Sequence, residues 1–200
     1  MPLIFSRIIS YLVHPALWPI LGTFICLHVT PYFQSSRATL MAVALVFCGT
    51  YLIPVLISFL LYRFKVVGSL LMVEAKDRRL PYAFSALSFY FTATLLGQID
   101  GMRDAYLFLI GSTLVIILHL FTLSIFKPSA HMAGIGGFLA LLMALSLKYG
   151  LNFLLYIFLA LFLSGLLASA RLALHAHTRS EVIFGWLSGW VLIFICVYFY

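Results

Sequence analysis

The chain has 200 residues, of which 64% are hydrophobic and only 8% are charged, and its mean hydropathy is +1.16. These values lie outside the range of soluble domains, so the composition predicts an integral membrane protein whose partner is the lipid bilayer. A formal net charge of +7 rests on few side chains. We expect no nucleic-acid partner, and we expect these few polar groups to carry the function.

About seven apolar stretches divide the chain, and most are long enough to cross a bilayer. They cover roughly residues 8–33, 38–62, 82–97, 105–126, 132–147, 151–170 and 182–200. The runs are continuously apolar rather than alternating, which predicts helices and not the strands of a barrel. The stretch 82–97 is short for a span, and the first stretch carries Pro15 and Pro19, so six and seven spans are both compatible. The predicted fold is an all-α polytopic membrane bundle, a single membrane-embedded domain over residues 1–200 with no soluble domain.

Several single residues have predicted structural roles. His119 lies in the middle of an apolar run, where we expect a hydrogen bond to another helix. His14 and His28 lie near the ends of the first stretch and are predicted to be interfacial or packed.

The cysteines lie inside apolar runs without a C-x2-C spacing, which predicts small buried hydrophobic residues rather than disulfides or zinc ligands: Cys26, Cys48 and Cys196. Asp100, Arg103 and Asp104 are predicted to cap a hairpin.

The most polar connection runs from Arg63 to Pro81. Its charged side chains are Lys65, Glu74, Lys76, Asp77, Arg78 and Arg79. Taken alone, this basic loop is typical of a juxtamembrane stretch that sets topology or contacts anionic headgroups. Tracing the chain through seven spans, however, places it on the same membrane face as two other polar segments, 127–131 and 171–181. The hairpin at Asp100 to Asp104 falls on the opposite face.

Those two segments contain residues suited to phosphate chemistry. The segment 171–181 reads R-x5-H-x3-E, with Arg171, His177 and Glu181, and the segment 127–131 supplies Ser129 and His131. Arginine donates two parallel hydrogen bonds to phosphate oxygens. One neutral imidazole can attack phosphorus while a second, protonated one gives its proton to the leaving oxygen. Glu181, four residues after His177, can hold the ring Nδ1–H and leave Nε2 free.

The segments Pro128-Ser129-Ala130-His131 and Arg171-x5-His177-x3-Glu181 resemble the second and third signature motifs of the type 2 phosphatidic acid phosphatase superfamily, PSGH and SR-x5-H-x3-D. The resemblance implies that His177 is the nucleophile that forms a phosphohistidine, His131 the general acid and Glu181 the orienting carboxylate. It also implies that Arg171 and Ser129 bind phosphate and that there is no metal cofactor. The spacing of His175 and His177 could suggest a metal pair, but no carboxylate or thiol cluster accompanies it.

The chain departs from the family pattern at several positions. Ala130 replaces the glycine of the second motif, and its N–H can still point at an anion from a helix N-terminus. Glu181 replaces aspartate and lengthens the carboxylate arm by one methylene. No lysine stands seven residues before an arginine, as the first motif K-x6-R-P requires. For that role we select Lys76 and Arg79 as phosphate ligands, with Arg78 as the alternative.

A site at one interface suits a substrate whose phosphate lies at headgroup level while its tails stay in lipid. The sequence therefore predicts metal-independent dephosphorylation of a membrane lipid phosphate or an isoprenyl (pyro)phosphate. The alternatives are a lipid phosphotransferase that uses the same phosphohistidine and a non-catalytic lipid-binding or transport protein. We expect a multi-pass protein of the bacterial inner membrane. Counting positive charges favours a cytoplasmic site, whereas the resemblance favours the other face.

Overall fold

A computed structural model describes residues 1–31, 35–69 and 75–200. In these residues the ordered elements are helices, and the predicted all-α bundle is confirmed. In chain order the helices are α1 Leu3–Leu12, α2 Leu17–Val29, α3 Ser36–Phe47, α4 Ile53–Arg63, α5 Ala75–Gly97, α6 Arg103–Thr122, α7 Ala130–Tyr149, α8 Leu154–Ala173 and α9 Arg179–Phe199. A π-helical turn, Cys48–Leu52, joins α3 to α4 without a break. Glu74 of the basic loop lies outside the described residues.

The helices are long and apolar enough to form a multi-pass membrane protein. Five spans meet this test within the described residues: Ser36–Arg63, Arg103–Thr122, Ala130–Tyr149, Leu154–Ala173 and Arg179–Phe199. The pair α1 and α2 makes a sixth if it crosses as one unit, bent by 44° at a break that contains Pro15. Helix α5 has 23 residues but begins with the charged residues of the basic loop, and it is not among these spans.

Large apolar side chains cover much of the outer surface, as lipid-facing helices require. On α8 alone, Leu154, Phe158 and Phe162 are exposed. In water a continuous apolar surface of this kind would drive aggregation, whereas hydrocarbon solvates it without cost. Cys48 lies on this exposed surface, so the prediction that all three cysteines are buried is wrong for Cys48 and confirmed for Cys26 and Cys196.

Helix α7 is the most buried span, and it packs most closely against α9 because glycines line the contact. A Cβ atom added at Gly185 of α9 would lie 2.6 Å from the backbone oxygen of Ser129, and one at Gly189 would clash with the backbone of Ala133. Glycine at these positions lets the two backbones touch, as in other membrane helix pairs with a small-x3-small spacing. This contact fixes Ser129 against the start of α9.

We predict that Gly185→Ala destabilises the protein by about 1–3 kcal/mol, because the methyl group meets backbone that cannot move without parting the helices. Gly165→Ala is the matched control, since a Cβ atom there meets nothing within 4 Å. That variant should be neutral or stabilised by up to about 1 kcal/mol through helix propensity. The melting temperatures of the two variants in detergent provide the comparison. Equal melting temperatures would contradict the packing argument.

The end of the bundle opposite the polar motifs is closed by a separate ion pair. Lys148 Nζ at the end of α7 lies 2.8 Å from Asp104 Oδ1 at the start of α6, and the Tyr149 hydroxyl donates to Asp104 Oδ2 at 2.6 Å. Arg103 donates to the backbone oxygen of Tyr200. Arg103 and Asp104 therefore have structural contacts, but these join separate helices and do not form the predicted hairpin cap, since the N-cap residue of α6 is Met102 and no side chain of the described residues caps this helix start. The chain trace through seven spans stays a prediction, because the described residues contain five candidate spans, or six with the α1–α2 pair, and α5 is not among them.

Candidate active site

A tight turn between α8 and α9 connects Arg171, in the last turn of α8, to His177. Helix α8 ends just after Arg171, whose carbonyl oxygen accepts from Ala176 N at 3.2 Å. His175 takes a left-handed conformation, with φ 50°, which reverses the chain. Thr178 then caps α9: its hydroxyl accepts from Glu181 N, and the Glu181 carboxylate accepts from Thr178 N at 2.8 Å. This capping box brings the carboxylate back towards His177.

His177 is buried and has its Nδ1 atom held by two acceptors. Glu181 Oε2 lies 3.3 Å and the Lys127 carbonyl oxygen 3.1 Å from Nδ1. Because both partners can only accept, Nδ1 carries the hydrogen, and in the neutral ring Nε2 keeps its lone pair. The arrangement is that of an imidazole prepared to act as a nucleophile.

The Glu181 carboxylate also fixes the segment that leads into α7. Its Oε1 atom accepts from Lys127 N at 3.0 Å, and the Glu181 backbone oxygen accepts from Ser129 N at 3.1 Å. One residue therefore orients His177, caps α9 and holds the segment before His131. The glutamate carboxylate reaches His177 Nδ1, Thr178 N and Lys127 N, whereas the backbone oxygen makes the contact to Ser129.

Two buried polar atoms beside this network lack a partner. Among the described residues, Ser129 Oγ and Arg171 Nε are buried without a hydrogen bond. Unpaired polar atoms cost free energy unless a ligand or water completes them. Both are donors, and Ser129 stands directly before Ala130, the first residue of α7. A helix N-terminus with a hydroxyl donor at its N-cap residue favours an oxyanion.

The basic loop contributes Arg78 to the charges around the site. Arg78 interacts electrostatically with His177, Lys127 and Arg171. Lys76 and Arg79, which the sequence favoured over Arg78, have exposed side chains. The structure thus associates the alternative candidate with the site. Helix geometry explains the difference, because neighbouring residues on α5 point about 100° apart.

Cations and burial together set the protonation of His177. Burial, then Arg171 and Arg78, lower the pKa of His177 to about 4, and the nearby Glu181 carboxylate opposes this shift. Burial also lowers the pKa of Lys127, with Arg78 acting in the same direction and Glu181 against it. At neutral pH the His177 ring is therefore uncharged. The local excess of positive charge favours an anionic ligand.

The lowered pKa predicts that acid destabilises the folded protein through His177. Because the folded-state pKa lies below the unfolded value of 6.5, the unfolded chain binds more protons between pH 6.5 and about 4. The free energy of unfolding should fall as pH falls through this window, by about 1–2 kcal/mol at pH 5. Melting temperatures at pH 7.5 and pH 5 should differ less for His177→Asn than for the native protein. An unchanged difference would contradict the predicted shift.

The structure adds three residues to the site that the sequence did not assign to it: Ser10, His14 and Lys127. His131 contacts the Ser10 carbonyl oxygen, and the ring of His14 packs against the ring of His131. His14, predicted to be interfacial or packed, is an exposed residue whose ring contacts that of His131, and no spacing in the sequence indicated this partner. Nor did the sequence indicate that the Lys127 carbonyl oxygen accepts a hydrogen bond from His177 Nδ1. By contrast, His119 forms the expected interhelical hydrogen bond, 2.9 Å from Ser188 Oγ.

A largely apolar cavity of about 560 Å³ opens beside the site. Its walls come from α2, the α3–α4 helix, α5, α6 and the start of α7, and they include Tyr51, Phe59, Phe89 and Phe108. His14 and Ala130 line the end nearest the site. The cavity therefore adjoins the polar cluster at His14 and Ala130, and its size and apolar lining suit a hydrocarbon chain.

In the part of the chain that the structure describes, no group of three His, Cys, Asp or Glu side chains could hold a metal ion. No protein-family model matches the chain, and neither a curated protein nor a solved structure matches it. The geometry of the site therefore carries the functional argument.

Proposed function

We propose that the protein hydrolyses a membrane lipid phosphate or an isoprenyl (pyro)phosphate, without a metal, as a member of the type 2 phosphatidic acid phosphatase superfamily. One observation carries the proposal. His177 Nδ1 is held by the Glu181 carboxylate and the Lys127 carbonyl, which leaves the Nε2 lone pair for attack, and the same site contains Ser129 Oγ and Arg171 Nε, which are buried without a partner among the described residues. Structural ion pairs do not require unpaired donors next to a free imidazole nitrogen.

The proposed reaction has two balanced steps. His177 Nε2 attacks phosphorus, the bond from phosphorus to the leaving oxygen breaks, and protonated His131 gives that oxygen a proton. Neutral His131 then takes a proton from water, which attacks the phosphohistidine and breaks the N–P bond. Inorganic phosphate leaves, and both histidines return to their starting states. Arg171, Ser129, the Ala130 N–H and the basic-loop cations, with Arg78 foremost, bind the phosphate oxygens.

The cavity supports a lipid rather than a water-soluble substrate. A phosphate bound by Arg171 and Ser129 would place the attached chain at Ala130 and His14, where the cavity begins. Its apolar walls suit an acyl or isoprenyl chain. The site thus matches an amphiphile whose phosphate stays at the membrane interface.

The test is phosphate release by purified protein from a panel of lipid monophosphates and isoprenyl pyrophosphates, with EDTA present throughout. We expect release of inorganic phosphate from at least one substrate. Transfer to an added alcohol without net release would replace hydrolysis with phosphotransfer. Lipid binding without either reaction, unaffected by His177→Ala, would overturn both catalytic proposals and favour a binding protein.

We place the protein in the bacterial inner membrane. The face that carries the site is decided by labelling Arg79→Cys with a membrane-impermeant maleimide in intact cells. Arg79→Cys is made in protein that also carries Cys48→Ser, because Cys48 is the exposed native thiol among the described residues and would itself be labelled. Labelling before cell lysis would assign the site to the outer face, and labelling only after lysis to the cytoplasmic face.

A further inference from the structure

The second histidine of the site is held by the N-terminal helices rather than by its own neighbourhood. His131 Nε2 lies 3.2 Å from the carbonyl oxygen of Ser10, which is near the end of α1. A carbonyl oxygen can only accept, so Nε2 carries a hydrogen whether the ring is neutral or protonated. The nitrogen whose protonation changes is therefore Nδ1.

His14 supports the same ring from the break between α1 and α2. Its ring meets that of His131 edge to face, with centroids 5.5 Å apart and planes at 80°. His14 Nδ1 in turn accepts from Ala16 N at 3.3 Å, which orients the His14 ring. Ser10 and His14 are four residues apart, on either side of the last turn of α1. The helix break thus delivers two contacts to one side chain.

The charges that face His131 come from three other elements. Arg171 at the end of α8, His177 before α9 and His14 at the break all interact electrostatically with it. His177 is held at Nδ1 and offers Nε2, whereas His131 is held at Nε2 and offers Nδ1. The two rings therefore present opposite nitrogens, one suited to attack and the other to proton donation.

We propose that the break between α1 and α2 positions the proton donor of the reaction. The Ser10 carbonyl holds His131 Nε2–H so that Nδ1–H protonates the leaving oxygen, and His14 is a positioning residue that braces the ring. The position fits the chemistry, because His14 also lines the cavity end where the leaving oxygen joins the apolar chain. This inference rests on the proposed phosphatase function.

The leaving group provides a test that general damage to the fold would not imitate. His14→Ala should lower kcat for an alkyl phosphate by about 10-fold to 100-fold, because an alkoxide needs the proton. The same variant should lower kcat for 4-nitrophenyl phosphate by less than about 3-fold, since nitrophenolate leaves without one. His14→Phe keeps an aromatic ring and should retain most activity towards the alkyl phosphate. His28→Ala, an exposed histidine on α2, is the control and should change neither rate.

Equal losses with both substrates, or a His14→Phe variant as impaired as His14→Ala, would overturn the positioning role. A second measurement does not depend on catalysis. In protein labelled with ¹⁵N-histidine, the NMR signals assigned by His131→Gln and His177→Asn should show a hydrogen on His131 Nε2, whether that ring is neutral or protonated, and the Nδ1–H form of His177 at neutral pH. An Nδ1–H form for neutral His131 would overturn the inference even if phosphate is released. If no phosphate ester is hydrolysed, the proposed function fails, and the NMR result still decides which nitrogen Ser10 holds.

Discussion

Replacing His177 with alanine should lower phosphate release by at least about 10³-fold, because the variant has no atom to form the covalent intermediate. Water attacking phosphorus directly would retain the binding contribution of Arg171 and Ser129, so a small residual rate is expected. The His177 side chain is buried, but among the described residues its hydrogen bonds are made at Nδ1 alone. Its removal should therefore affect the reaction far more than the fold.

The measurement combines phosphate release with trapping of the intermediate. Brief incubation of native protein with ³²P-labelled substrate, followed by denaturation in alkali, should yield labelled protein, because phosphohistidine survives alkali and is lost in acid. His177→Ala should yield none, whereas His28→Ala should match the native protein. Labelled His177→Ala protein would show that another residue is the nucleophile.

Replacing Glu181 with glutamine should have the second largest effect, lowering activity by about 10²-fold or more. The carboxylate accepts three N–H groups: His177 Nδ1–H and Thr178 N–H at Oε2, and Lys127 N–H at Oε1. An amide has one oxygen, so its NH2 group must face at least one of these donors. Either His177 turns away, or the segment leading to Ser129 loses its anchor.

The same substitution should cost about 1–3 kcal/mol of stability, the usual penalty for a buried donor left unpaired. Asp104→Asn is the matched control, because Asp104 is also a carboxylate in the first turn of a helix, buried and paired with Lys148 and Tyr149. It should lower the melting temperature without a comparable loss of activity per folded molecule. Equal activity losses in the two variants would show that Glu181 acts only through stability.

The pairing of His177 with Glu181 could be predicted from the sequence because the two residues are only four positions apart. The spacing of His177 and Glu181 places them one helical turn apart, and the structure finds their side chains 3.3 Å apart. The hydrophobic runs likewise predicted the helices, since backbone groups in hydrocarbon must be satisfied within each segment. The spacing of Gly185 and Gly189 is typical of close helix pairs, and the structure places both glycines against the backbone of α7 and its N-cap residue Ser129.

Other features depended on how the helices rotate against one another. The Ser10 carbonyl accepts from His131, 121 residues away, and the Lys127 carbonyl accepts from His177, 50 residues away. The sequence alone did not indicate either contact. Nor did it distinguish Arg78 from Lys76 and Arg79, because all three share one charged turn.

By itself, then, the sequence determined the membrane setting, the helical bundle and the facing pair His177 and Glu181. Only the tertiary structure showed which nitrogen each histidine offers and that Arg78 of the basic loop interacts with Arg171 and His177. The physical reason is range. Contacts within one helical turn follow from residue spacing. Contacts between helices depend on how each helix is rotated and shifted along its axis, and close packing, such as that of Gly185 against Ser129, determines both for all the helices together.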